Sequence, residues 1–291
     1  MSVWRGVVVL ALGSTILTAG CGGSRNQPPA AAPSASLQRS RVALGGAFAV
    51  TYRFTVAPTA HFDRDYHVLV HFLDPNEELL WTEDHVPPVA TSAWKPGQTI
   101  EYAKTHFVPI YPYVGEAVMT LGLYDPASGE RLPLAGDDTG QKEYVVSRLQ
   151  LLPQTESILI VFKEGWHPAE RAPDNPAAEW QWSKKDATWS FRNPRRNATF
   201  YLHYSGEPSM FDMAQTVTLY LQDQLVDSFT VDSPTETVRT LEFKAGQFGS
   251  DEMVQLRLSV DRTFVPARQA PGSGDLRELG LRVFHAVLEP L

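Results

Sequence analysis

The chain has 291 residues, 43% of them hydrophobic and 20% charged, and its 33 acidic side chains outnumber 25 Lys and Arg to leave a formal charge of -8. That acidity, with no basic block, excludes a nucleic-acid protein, because phosphate neutralisation needs clustered cations, and the apolar content excludes wholesale disorder. The single cysteine, Cys21, excludes an intramolecular disulfide, a thiolate zinc site and an iron–sulfur cluster.

In chain order, Arg5 precedes an apolar run from Gly6 to Leu17, and Thr18-Ala19-Gly20-Cys21 follows. A positive start, a short apolar run and small residues before a cut site describe a secretory signal; a spanning helix needs roughly 20 apolar residues. Leu17-Thr18-Ala19-Gly20-Cys21 resembles the lipobox of bacterial lipoproteins, with one departure: the leucine stands four residues before the cysteine instead of three, with Thr18 in its usual place. The resemblance implies cleavage of residues 1–20 and acylation of Cys21 with palmitate-class chains. It also implies an extracytoplasmic protein anchored to a membrane through its N-terminal lipid. Gly22 stands where an Asp marks inner-membrane retention in that family, which points to the outer membrane and the periplasm. Several acyl chains anchor stably where one does not. Residues 21–37, rich in Pro, Ala, Ser and Gly and without apolar periodicity, are expected to be a flexible tether.

From residue 38 the pattern changes to short alternating runs. Phe48 to Val56, Tyr66 to Leu73, Val118 to Tyr124 and Tyr144 to Leu152 read as strands, punctuated by Asp74-Pro75-Asn76, Lys95-Pro96-Gly97 and Asp125-Pro126 turns. Residues 38–153 are therefore expected to form a β-sandwich of immunoglobulin-like type. A break at Leu152-Pro153-Gln154-Thr155 opens a second block. Strands are expected there at Ser157–Phe162, Trp180–Trp182, Ala187–Phe191, Ala198–Tyr204, Val217–Leu221, Leu225–Val231, Val238–Phe243, Val254–Val260 and Leu281–Leu288, with a hairpin turn at Asp223-Gln224. That density of strands over residues 154–291 suits a jelly-roll sandwich. The fold class is thus all-β, two sandwiches in series, and no segment carries a sustained amphipathic helix.

In the first block the order His71-Phe72-Leu73-Asp74-Pro75, Trp94-Lys95-Pro96-Gly97, Gly122-Leu123-Tyr124-Asp125-Pro126 and Gly129-Glu130-Arg131-Leu132-Pro133-Leu134 resembles the β-sandwich accessory domains at the extracytoplasmic ends of some bacterial membrane glycosyltransferases. The second block, with Gly165-Trp166-His167-Pro168, Glu170, Trp180-Gln181-Trp182, Phe264-Val265-Pro266 and Asp275 to Gly280, is similar to galactose-binding-like jelly rolls attached to the same enzymes. These resemblances imply fold and surface context. The chain has no room for the multi-helix membrane portion of such an enzyme and lacks its catalytic machinery.

The chemistry-bearing residues are sparse. His67 and His71 share one face of an expected strand, but the spacing supplies no third metal ligand, with only His106 or Asp74 on offer. Asp63/Asp65 and Asp137/Asp138 sit in turns and lack the spacing of a calcium loop. No nucleophile elbow and no phosphate-cradling loop is present. The second block gathers Trp166, Trp180 and Trp182 with Glu170, Asp275 and Arg277. In a jelly roll the first and last strands commonly pair, which would bring these segments together. Two readings stand: a structural latch in which Glu170 or Asp275 pairs with Arg277 beneath tryptophan, and a sugar-binding cleft in which pyranose faces stack on the rings. No cofactor is expected. The functional expectation is a non-enzymatic, lipid-anchored envelope protein that binds carbohydrate or recognises an envelope component through its second domain; a structural subunit of a membrane-associated complex is the alternative.

Overall fold

In the computed structural model, the structure describes residues 27–110, 113–173, 178–269 and 272–291. The signal segment and Cys21, expected to carry the lipid, lie outside the described residues.

The first sandwich contains β1 (Ala31–Leu37), β2 (Arg41–Ala43), β3 (Ala47–Val56), β4 (His67–Leu73), β5 (Leu79–Thr82), β6 (Thr99–Phe107), β7 (Gly115–Tyr124), β8 (Asp137–Asp138) and β9 (Tyr144–Leu152). One sheet runs β1-β3-β6 and the other β2-β9-β7-β4-β5, with β8 added on β9. Every pairing is antiparallel except β2 with β9. Between the sheets lies a core that includes Phe48, Tyr52, Phe54, Val70, Phe72, Met119 and Leu121, fed by the inward positions of β3, β4 and β7.

The second sandwich contains β10 (Val161–Phe162), β11 (Glu170–Arg171), β12 (Glu179–Trp182), β13 (Asp186–Arg192), β14 (Ala198–Ser205), β15 (Gln215–Leu221), β16 (Gln224–Val231), β17 (Thr237–Phe243), β18 (Met253–Val260) and β19 (Arg282–Pro290). Its sheets run β10-β13-β18-β15-β16 and β11-β12-β19-β14-β17. Trp189, Phe191, Phe200, Leu202, Leu219 and Leu256 fill the space between them.

The end of the expected tether is a strand. Ala31–Leu37 is a strand paired along its whole length with β3, and Ala31 is buried. Ala31, Pro33, Ala35 and Leu37 turn inward while Ala32, Ser34 and Ser36 turn out, so a low-complexity segment still alternates. Pro33 is tolerated because β1 is an edge strand, where a missing N–H breaks no ladder.

The expected strand Ser157–Phe162 also divides. Ile158 bridges to Leu288 in one sheet, whereas Val161 and Phe162 pair with β13 in the other, so the chain crosses the sandwich within a few residues. The β15–β16 hairpin turns at Gln222 and Asp223, with φ of 49° and 62°, one residue earlier than expected; two successive positive φ values mark the turn that matches strand twist. Strand β6 was not legible as a strand, since its inward row, Ile100, Tyr102, Lys104 and His106, is half polar.

The two sandwiches meet over a small shared cluster, in which Ala47 and Phe107 of the first pack with Tyr201, Val238 and Val287 of the second. Beside it Glu289 accepts hydrogen bonds from the Ala47 N–H at 3.0 Å and from Arg39 Nη1 at 2.9 Å. The Tyr201 hydroxyl donates to Gln38 Oε1 at 3.2 Å.

Candidate functional site

The expected pairing of early and late strands in the second sandwich is present: Gln181 faces Val283 and Trp182 faces Arg282 across β12 and β19. Three of the six residues singled out form one ionic knot. Arg277 Nη1 donates to Glu170 Oε1 at 2.7 Å, while Nη2 and Nε donate to Asp275 at 2.7 and 3.0 Å. The guanidinium beside it holds the Asp275 carboxyl down to about 2, helped by the backbone N–H of Arg277. The donors are spent on the protein's own carboxylates, and the knot ties the 261–281 loop to β11. This is the geometry of a latch.

The tryptophans divide. Trp166 packs tilted against Trp189 at 4.7 Å and edge-to-face against Phe162 at 4.8 Å, and its Nε1–H donates to the Thr188 carbonyl at 3.0 Å, so it packs on the main core. Trp182 is buried against Phe264 and Leu279, with Trp180, Met210 and Phe211 around them. Trp180 and Trp182 belong to a different feature, on the face of the β11-β12-β19-β14-β17 sheet turned away from the core.

That face carries a continuous aromatic strip. Starting at the joint, Phe107 lies parallel to His285 with centroids 4.3 Å apart, and also parallel to His203 at 5.5 Å. His203 and His285 are directly opposite on β14 and β19. Their rings are parallel within 2°, with Nδ1 atoms 3.1 Å apart. His203 then contacts Phe284 at 4.9 Å, and Phe284 contacts Trp180 at 6.3 Å. The Arg282 guanidinium lies 5.7, 5.5 and 5.4 Å from the ring centres of Trp180, Trp182 and Phe284, and its Nε–H donates to Ser205 Oγ at 2.8 Å.

A β-bulge makes the strip possible. The β14–β19 register shifts between His203 and Tyr204, so that Tyr204 faces Val283 and Phe284 is the extra residue. Leu281, Val283, Ala286 and Leu288 point into the core. Both Phe284 and His285 consequently turn outward, which strict alternation forbids; re-aiming a side chain is what a bulge does.

Near the joint the strip opens into a groove of about 1040 Å³ between the sandwiches, lined by β5, by the end of β6 and by His203, Glu236, Val238 and His285. Two hydrogen-bonded dyads lie behind its wall. Tyr52 OH is 2.6 Å from His106 Nε2, and Glu83 Oε2 stands 2.8 Å from His106 Nδ1 as an ion-pair contact without hydrogen-bond geometry. Tyr102 OH is 2.8 Å from His85 Nε2, whose Nδ1 is 2.9 Å from the Glu83 carbonyl; Nδ1 is therefore the donor and Nε2 accepts from the tyrosine. Burial pushes His85, His203 and His285 down to about 4 and the Tyr52 and Tyr102 hydroxyls upward. The imidazoles are therefore neutral at pH 7 and present flat, weakly polar faces.

His67 and His71 do not share a ligand. His67 packs on Tyr124, and His71 Nδ1 is 3.1 Å from the buried carboxylate of Glu143. Asp74 spends one carboxylate oxygen on the backbone N–H groups of Asn76 and Glu78, as a turn aspartate does. Phe107, His203, Phe284 and His285 were missed from sequence; the available signal was a histidine within each of two expected strands, β14 and β19.

No protein-family model matches the chain, and no curated protein matches it. Among solved structures, it is similar to a Bacteroides uniformis β-glucuronidase, with 9% identity over 89% of this chain and 30% of that one, at a TM-score of 0.30. A Clostridium perfringens ZmpB structure containing the M60 catalytic domain with the CBM51-1 and CBM51-2 domains matches with 9% identity over 84% of this chain and 34% of that one, at 0.26. A Pseudomonas fluorescens alkylpurine DNA glycosylase, AlkC, matches with 11% identity over 40% and 31%, at 0.25. The aligned part is about a third of each of these proteins, and at such TM-scores the likeness carries no weight for ligand or activity.

Proposed function

We propose that this chain is a non-enzymatic, lipid-anchored protein of the bacterial cell envelope that binds carbohydrate along the aromatic strip of its second sandwich. The strip from Phe107 through His285, His203 and Phe284 to Trp180 supports this reading most directly. Pyranose rings present CH-rich faces that stack on aromatic planes, and their hydroxyls take hydrogen bonds from neighbouring polar groups. Such groups flank the strip: Glu236 and Lys104 in the groove, Glu207 and Arg282 at the far end. The anchor rests on Leu17-Thr18-Ala19-Gly20-Cys21, and a mature N-terminus there would leave only a short span before β1.

The test is a glycan array probed with the purified, detergent-solubilised protein, beside a Phe284→Ala/Trp180→Ala double variant. Binding that the double variant loses while keeping its melting behaviour supports the strip. Silence across envelope and plant polysaccharides, together with a co-purifying envelope protein, overturns it in favour of a structural subunit. Labelling with a palmitate analogue tests the anchor separately; unchanged labelling of Cys21→Ser rejects it.

A further inference from the structure

We propose that the open edge of β6 is a docking site for an extended, basic segment of a partner polypeptide, which adds to the β1-β3-β6 sheet as a further strand and runs into the groove at the joint. The inference stands apart from the carbohydrate reading, whose strip lies on the second sandwich; only Phe107 belongs to both.

β6 is the last strand of its sheet and pairs with β3 alone among the described residues. That pairing runs without a register shift from Thr99 to Phe107. Gly45 N–H donates to the Val108 carbonyl and Val108 N–H donates to the Gly46 carbonyl, so the even-numbered residues of β6 bond toward β3. The N–H and C=O groups of Glu101, Ala103, Thr105 and Phe107 therefore point away from β3, and no backbone group among the described residues bonds to them. Such a row repeats every two residues, about 6.8 Å, and is matched by another extended backbone. A polysaccharide has no alternating N–H and C=O groups to answer it.

The edge has room beside it. Ala103 to Pro109 form one wall of the groove of about 1040 Å³, and Leu79, Leu80 and Val238 supply apolar side chains to its other walls. Leu79 is 55% exposed. An added strand lies about 4.8 Å from its neighbour, and in an augmented sheet the ladder gives affinity while pockets for alternate side chains give specificity.

Charge selects the occupant. Glu83 and Glu236 line the groove against a single Lys or Arg, Lys104. The formal charge of -8 opposes edge-to-edge pairing of two copies, and the groove carboxylates complement a segment carrying Lys or Arg.

Residue-resolved hydrogen exchange and fluorescence anisotropy on the full chain in detergent test the site, with a labelled peptide alternating Val and Lys, as long as β6, for the probe. In the free protein the Ala103 and Thr105 amides should exchange fast and those of Tyr102 and Lys104 slowly. The peptide should bind saturably and slow the Ala103 and Thr105 amides by about tenfold or more. Ala103→Pro removes a free N–H without breaking a bond to β3, a change that the open side of an edge strand tolerates, and should weaken binding by about tenfold. The same peptide N-methylated at every residue should not bind, and a Val/Glu peptide should bind by about tenfold or more less tightly. If Ala103→Pro does not fold, the exchange rates and the N-methylated peptide decide. No saturable binding at millimolar peptide, or binding that N-methylation leaves unchanged, overturns the proposal. Slow exchange of the Ala103 and Thr105 amides in the free protein that quickens on dilution assigns the edge to a second copy and also overturns it.

Discussion

Glu289 Oε1 accepts the backbone N–H of Ala47 at 3.0 Å and so completes, from the second sandwich, a strand of the first. On β3 the odd-numbered residues turn their N–H groups toward β1, as the Gln38-to-Ala49 bond shows, but β1 ends at Leu37. Ala47 is thereby left one position beyond its partner strand. The carboxylate fills that vacancy and is held by Arg39 Nη1 at 2.9 Å on its other oxygen. Gly46 permits the approach, because a Cβ there would lie 2.4 Å from Glu289 Oε1 and 2.9 Å from the Ala43 carbonyl.

Removing that carboxylate should loosen the joint. Glu289→Ala leaves a buried N–H and a half-buried guanidinium without acceptors, a loss of about 2–4 kcal/mol. Glu289→Gln, which keeps an oxygen for Ala47, should cost less. Calorimetry and limited proteolysis near Leu152-Pro153 check this: the alanine variant should be cut faster there, and equal cutting of wild type and variant counts against the joint.

Gly46→Val should reproduce much of the Glu289→Ala effect without touching any charge. The branched side chain meets Glu289, Ala43 and Val42 at once, and overpacking of this kind costs roughly 1–3 kcal/mol. A double variant with Glu289→Ala should be less than additive, since the two changes act on one contact.

Arg277→Ala separates latch from cleft. Arg277, Glu170 and Asp275 are all partly exposed, so the loss is modest, about 1–2 kcal/mol, and the second sandwich should melt a few degrees lower. Glycan binding on the strip should stay within twofold. Normal melting with lost binding would restore the cleft reading.

Acidification should destabilise the protein between about pH 6.5 and 4. His85 and His203 are held down to about 4 in the fold by burial, while in the unfolded chain they titrate near 6.5. The unfolded state therefore takes up protons first, and stability falls as pH falls through that window, then levels for these groups below it. The loss is on the order of a few kcal/mol. Urea unfolding at several pH values measures it, and His85→Asn combined with His203→Asn should flatten the slope.

Much of the architecture was legible from local pattern. Tyr144–Leu152 appeared at the expected bounds, and most other strands within two or three residues, because a half-buried strand must alternate and its turns need Pro, Gly or Asp. The pattern misled where burial is supplied by something other than large apolar side chains. Ala31–Leu37 alternates with alanine, proline and serine, and β6 turns Lys104 and His106 inward. Of the site, Glu170, Asp275 and Arg277 were foreseen as neighbours because first and last strands pair, and charge complementarity did the rest.

The sequence by itself determined an all-β chain in two blocks, since hydrophobic period and turn chemistry act over a few residues. Only the tertiary structure decided where the outward-facing aromatic surface lies. The strip depends on a one-residue bulge at Phe284, on a strand register that sets His203 against His285, and on Phe107 arriving from the other sandwich. Each is a relation between segments far apart in the chain, produced by packing two sheets and two domains together, and no local preference encodes it.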